Sequence, residues 1–88
     1  MAIPRVVKAK HLGEFRVFLS FDDGLEAEVD LHDDLWGAVF EPLRDPAYFA
    51  RFEVDDTLVW PNGADFAPEF LHERARAATK RAQLERRE

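Results

Sequence analysis

Eighteen carboxylates and three histidines are the side chains of this sequence with the most obvious capacity for chemistry. Adjacent acids recur at Asp22-Asp23, Asp33-Asp34 and Asp55-Asp56. Metal binding or general acid–base work would need such carboxylates to converge on one point. Each pair instead falls where a turn or helix cap is expected, and Asp favours those positions because its side chain bonds nearby backbone. Turn geometry therefore explains the pairs without chemistry. His11, His32 and His72 are far apart, with no i, i+4 pair and no cysteine in the chain. A zinc site shows tighter ligand spacing than that. Ser20 lies on the polar face of an expected strand, outside any Gly-x-Ser-x-Gly elbow. Gly13, Gly24, Gly37 and Gly63 form no phosphate-cradling run. The residues read as those of a non-enzyme with no cofactor and no metal site.

Aromatic side chains carry the other candidate function, since they dominate binding hot spots. Trp60-Pro61-Asn62-Gly63 with Phe66 places two aromatics beside a turn, and Trp36 sits in a short segment broken by Gly37 and Pro42. Trp36, Trp60, Asn62 and Phe66 are the candidate partner-binding residues. The competing reading has Trp60 closing the core and Asn62-Gly63 redirecting the chain into a helix. It carries more weight for Trp60, because a small domain needs the area a Trp buries.

The elements that must position these residues start from one hairpin. Phe15, Val17, Leu19 and Phe21 alternate along one run, and Leu25, Ala27, Val29 and Leu31 along the next. A strand sends alternate side chains to opposite faces, so each run has one apolar face. A two-residue Asp23-Gly24 turn would set Phe21 against Glu26. A three-residue loop pairs Phe21 with Leu25, Leu19 with Ala27, Val17 with Val29 and Phe15 with Leu31, and puts Arg16 opposite Asp30. One slip of register flips every side chain, so parity selects the three-residue loop, with Gly24 left-handed and bulged. Residues 4–12 read as a first strand. A Gly13-Glu14 turn would put Val6, Lys8, Lys10 and Leu12 on the core side; a looser loop would put Val7, Ala9 and His11 there. The sequence leaves that register open.

Asp33-Asp34 reads as an N-cap for a short helix over Leu35–Phe40, with Leu35, Trp36, Val39 and Phe40 turned inward and Pro42 stopping it. Asp45-Pro46 starts a second short helix that ends near Arg51. Phe52–Val54 and Leu58–Trp60 read as a second hairpin around Asp55-Asp56-Thr57, with Val54 opposite Leu58. Asn62-Gly63 makes a turn. Asp65 is expected to cap a last helix from about Phe66 or Pro68 into the low 80s, with Phe70, Leu71, Ala75, Ala78 and Ala82 as its inner stripe. The helix end beyond roughly Lys80 is expected to fray or meet a partner. The fold class is α+β: an antiparallel sheet, made of a three-stranded meander plus a second hairpin, with short helices and a C-terminal helix. Residues 4–72 form the compact domain, and 73–88 a basic extension of the last helix.

The net charge of −6 is uneven: 15 acids and 6 bases up to residue 69, then 3 acids and 6 bases. An acidic body repels phosphate backbones, so nucleic acid is admitted only through the C-terminal helix. Cations near a helix C-terminus also suit the helix dipole, which is the simpler reason for them. No apolar stretch approaches 18 residues and the N-terminus lacks a signal-peptide core. A soluble cytoplasmic protein without membrane contact is expected.

Taken in order, Phe21-Asp22-Asp23-Gly24, Val29-Asp30-Leu31, Gly37-Ala38-Val39-Phe40-Glu41-Pro42-Leu43 and Trp60-Pro61-Asn62-Gly63-Ala64-Asp65, followed by Pro68-Glu69 and Leu71, make a recognisable set. It resembles the bacterial domain-of-unknown-function family 2442 over roughly residues 4–72. The resemblance implies a small α+β domain with an antiparallel sheet. Some members of that family are fused to a helix-turn-helix domain. Others are encoded beside a second small protein, in a pairing like that of toxin and antitoxin. Residues 72–88 hold one helix at most, and a helix-turn-helix needs two. No catalytic residues carry over.

The function expected is a non-catalytic protein-interaction domain, in the role of a regulatory, antitoxin-like partner of a neighbouring small protein. It would bind a protein partner, or a second copy of itself, through a sheet edge or through aromatics near Trp36 and Trp60. A nucleic-acid-linked transcriptional regulator using the basic helix is the alternative; a metal-dependent enzyme using turn carboxylates ranks below it.

Overall fold

The hairpin expected from residue parity is the centre of the molecule. In the computed structural model, which describes residues 3–85, strands β1 (Val6–Gly13), β2 (Arg16–Phe21) and β3 (Glu26–Asp30) form an antiparallel meander in the order β1-β2-β3. Val17 faces Val29 and Leu19 faces Ala27, with Arg16 opposite Asp30. Phe21 N–H donates to the Leu25 carbonyl at 2.8 Å, which closes the three-residue loop. Val17, Leu19, Phe21, Val29 and Leu31 are all buried on one side. The Arg16 guanidinium reaches diagonally past Asp30 to Glu28, at 3.3 Å.

The first strand combines both of its alternative registers. Val6 pairs with Phe21, but Lys8 pairs with Ser20, so Val7 is an extra residue on β1. That bulge switches parity: Val6 enters the core, Val7 is 56% exposed, and Ala9 packs inward further along. A bulge lets one strand obey two alternation patterns, which no single register can do. The turn between β1 and β2 lies one residue later than Gly13-Glu14. Gly13 already pairs with Arg16, and the loop is Glu14-Phe15.

The segment after β3 departs furthest from expectation. No helix spans Leu35–Phe40. A 3₁₀ turn at His32–Asp34 precedes it, and a 3₁₀ helix at Ala38–Arg44 follows, with Pro42 inside. Asp33 and Asp34 do not cap; Asp30 Oδ1 accepts the His32 N–H instead, at 2.9 Å. Leu35 and Leu43 are buried, Phe40 is half-buried, and Trp36 and Val39 point to solvent. Two apolar anchors eight residues apart satisfy the core, and Trp36 and Val39 between them are left over. Pro42 does not end the helix, because one missing N–H in a 3₁₀ segment leaves only the Val39 carbonyl three residues back without that donor. Asn62 Nδ2 donates to that carbonyl at 2.9 Å.

Helix α1 (Pro46–Phe49) starts as expected, with Asp45 Oδ1 accepting the Ala47 N–H at 3.0 Å. Strands β4 (Glu53–Val54) and β5 (Leu58–Val59) pair with Val54 opposite Leu58. Asp56, at φ 62°, bridges back to Val6 and so ties this hairpin to β1. Asp65 does not cap the last helix. It bridges to Val59, and the Ala67 carbonyl accepts the first N–H groups, from Phe70 and Leu71. The reason is Pro68: at the first helical position it fixes the start three residues beyond Asp65. Helix α2 (Pro68–Glu85) lays Leu71 and Ala75 into the core, with Phe70 and Ala78 packed at its margin. The expected contact of Ala82, and the behaviour of side chains beyond Lys80, lie outside the described residues.

Candidate functional site

The turn Trp60–Ala64 shows what three of the four candidate residues do. Trp60 is 2% exposed, and its indole Nε1 donates to the Phe49 carbonyl at 2.8 Å. Its ring meets Phe49 at 5.5 Å, Phe52 at 6.2 Å and Phe66 at 5.7 Å between centroids. Phe66 is 8% exposed and stacks between Phe40 and Phe70, at 4.9 and 5.5 Å. Such pairs add roughly 0.5–1.5 kcal/mol each beyond the area they bury. Asn62 Oδ1 accepts the Ala64 N–H at 3.1 Å while its amide nitrogen holds Val39. Trp60 and Phe66 therefore lie in the core, and Asn62 pins the 3₁₀ helix to the turn.

Trp36 is different. It is 73% exposed, between the two 3₁₀ segments. Beside it lies a cleft of about 430 Å³ lined by Phe15, His32, Asp33, Leu35 and Arg44. Arg44 Nε donates to the Leu35 carbonyl at 2.7 Å, which fixes the guanidinium at one wall. Phe15 and the His32 ring, 5.3 Å apart, make another. His32 Nδ1 is 3.0 Å from Asp33 Oδ1, and Asp33 with the Arg44 guanidinium gives the rim both signs of charge. An apolar or aromatic side chain flanked by a polar group would find both matches there.

The paired carboxylates meet cations and backbone N–H groups; Asp22 and Asp56 both face the Arg5 guanidinium, at 3.5 and 3.9 Å. Among the described residues, no three of His, Asp and Glu come together in a metal-binding group. Asp22 accepts the Arg5 N–H at 3.1 Å and faces its guanidinium at 3.5 Å. Asp23 Oδ1 accepts the Leu25 N–H at 3.0 Å, and its Oδ2 lies 2.8 Å from His72 Nε2. Those two contacts, the backbone N–H first, hold the Asp23 carboxyl below its ordinary value. Asp34 has the opposite shift: burial raises it, against the pull of Arg74, whose Nη2 is 3.1 Å from Oδ2. That contact is off the hydrogen-bond line, and Arg74 Nη2 donates to the Asp30 carbonyl at 3.2 Å. Asp23 and Asp34 thus hold α2 against the sheet from two places. Sequence spacing could not pair them with His72 and Arg74, because the partners are separated by the whole second half of the fold.

A family model described as a protein of unknown function (DUF2442) matches residues 6–77. The chain belongs to that family. The matched region of this DUF2442 protein takes in the meander, the Trp36 segment, the Trp60 turn and the first turns of α2. Comparisons with curated proteins and with solved structures each returned no match. No helix among the described residues is long and apolar enough to cross a membrane.

Proposed function

We propose that this DUF2442 protein is a non-catalytic interaction domain that binds another protein chain through Trp36 and the cleft beside it. Its role would be that of the regulatory partner of a neighbouring small protein. The observation that carries the reading is the exposure of Trp36, at 73%, in a chain that buries Trp60 almost completely. Trp is the residue most enriched where binding energy concentrates. The adjoining Phe15, Leu35 and Arg44 supply apolar and charged walls for one anchoring side chain of the partner.

The test is co-purification with the product of the adjacent gene, followed by calorimetric titration. Trp36→Ala is expected to weaken that complex by about 30-fold or more, the threshold of a hot spot, with unchanged circular dichroism. Equal affinity for the wild-type and Trp36→Ala chains, or no complex with the neighbouring product at all, would sink this reading.

A further inference from the structure

The outer face of the meander carries an ordered charge pattern that the Trp36 reading does not use. Register places Lys8, Ser20 and Glu26 in one rank across the three strands, and Lys10, Phe18 and Glu28 in the next. The face thus has cations Lys8 and Lys10 on β1, Ser20 and Phe18 on β2 with Arg16 at the end of that column, and anions Glu26, Glu28 and Asp30 on β3. Lys8, Lys10, Glu26 and Glu28 are exposed, and Phe18 is only half-buried at the centre of the face. Ser20 Oγ donates to Glu26 at 3.2 Å, and Arg16 pairs with Glu28. Lys8 and Lys10 have no ion-pair partner among the described residues.

We infer that this face is a self-complementary surface whose occupant is a second copy of the chain. A two-fold axis parallel to the strands, lying between two such faces, exchanges left and right. It sets Lys8 and Lys10 of one copy over Glu26 and Glu28 of the other, twice, and brings Phe18 over Phe18 and Arg16, already paired with Glu28 of its own copy, over Arg16 at the margin. The other in-plane two-fold, across the strands, lays lysine on lysine and glutamate on glutamate. Charge therefore selects one of the two symmetric packings, and an isologous contact of that kind closes on itself. Aligned sheets pack face to face about 10 Å apart with the strands within about 30° of each other, which long charged side chains at the margins can span. Three strands by five residues make a footprint of roughly 14 by 17 Å. At roughly 240 Å² per copy this is well below the roughly 800 Å² per partner of a standard interface, so the dimer is weak and concentration-dependent.

Sedimentation velocity from about 10 μM to about 1 mM, the range where small interfaces associate, tests the inference on the whole chain. The wild type is expected to shift from monomer toward dimer. Lys8→Glu with Lys10→Glu makes both columns acidic, and Glu26→Lys with Glu28→Lys makes both basic. Each double variant is expected to stay monomeric. Mixed in equal amounts, the two are expected to form a heterodimer, because each acidic column then meets a basic one. The fourfold variant with all four charges exchanged is expected to dimerise with itself. Phe18→Asp is expected to abolish association in every background. A wild type that remains monomeric at the highest concentration would overturn the proposal. So would association indifferent to charge reversal, or a mixture that fails to pair while both variants keep their circular dichroism. Trp36→Ala should leave all of these results unchanged, which separates this surface from the one proposed for the partner.

Discussion

Two turns in this molecule share one backbone plan and hold different things. In Phe21–Leu25 and in Trp60–Ala64, the first residue donates its N–H to the fifth carbonyl, at 2.8 and 2.9 Å. The fourth residue, Gly24 or Gly63, donates to the first carbonyl at 3.0 and 2.9 Å, with φ of 91° and 88°. The third residue accepts the fifth N–H through a side-chain oxygen, Asp23 at 3.0 Å and Asn62 at 3.1 Å. In each, a buried aromatic opens the turn. The difference is the second polar atom of that third residue. Asp23 has another acceptor and takes His72 from α2; an ionised carboxylate only accepts, so His72 Nε2 carries the proton. Asn62 has a donor and gives it to the carbonyl that Pro42 leaves open. One atom, oxygen or nitrogen, decides whether the turn anchors a helix or a 3₁₀ segment.

The comparison breaks most easily at its aromatic end. Trp60→Ala is expected to cost about 3–5 kcal/mol in urea unfolding, because it opens a cavity among Phe49, Phe52 and Phe66. Trp60→Phe should recover most of the packing. It should still cost about 1–3 kcal/mol by removing the donor to the buried Phe49 carbonyl. Next come the glycines. A Cβ at either Gly24 or Gly63 meets nothing within 4 Å. Only the left-handed backbone then resists it, and Gly24→Ala and Gly63→Ala should each cost about 1–2 kcal/mol. Equal losses would confirm a shared turn; unequal ones would show that the two differ in more than side chains.

Exchanging the third residues sharpens the contrast at the smallest scale. Asn62→Asp keeps an oxygen for Ala64 but turns a carboxylate toward the Val39 carbonyl, a loss of about 0.5–1.5 kcal/mol. Asp23→Asn keeps the Leu25 bond and should shift the thermal midpoint less. Its signature is in the pH profile. Asp23 is held below its ordinary value of 3.8, so the folded chain keeps this carboxylate ionised where the unfolded chain has taken up a proton. That contribution is complete above pH 3.8 and is lost as pH falls through the folded value. Asp34 acts with the opposite sign: raised above 3.8 by burial, it binds its proton more tightly when folded. Its contribution therefore lessens as pH rises through the window just above 3.8. Thermal melts from pH 2 to pH 7 should show Asp23→Asn flattening the acid limb below pH 3.8 and Asp34→Asn flattening the shallow fall that follows it as pH rises.

Much of the fold was legible because strand parity is a strict rule. Phe15–Leu31 can bury its apolar side chains in only one register, and Val54 opposite Leu58 follows from the same count. The first strand resisted because a bulge at Val7 breaks parity in mid-strand, and nothing in Val6-Val7-Lys8 announces it. Trp36 was misplaced for a related reason. Apolar residues at helical spacing read as inward, but Leu35 and Leu43 already fill the space, and Trp36 lies in the non-helical stretch between two 3₁₀ segments. Asp65 looked like a cap because Asp before a helix usually is one, yet Pro68 moved the helix start beyond its reach. At the candidate site, residue type alone suggested Trp36, Trp60, Asn62 and Phe66, and only depth separates the exposed member from the rest.

The amino-acid sequence by itself determined the pairing of β2 with β3, the three-residue loops of that hairpin and of β4–β5, and the class of the fold. Those rest on local alternation and on backbone angles that Gly and Pro dictate within a few residues. Tertiary structure alone decided that His72 meets Asp23, that Asn62 completes a carbonyl left open by Pro42, and that lysines and glutamates flank β2 on one face of the sheet. Those contacts join residues distant along the chain, and their energies exist only once the core has brought the elements together.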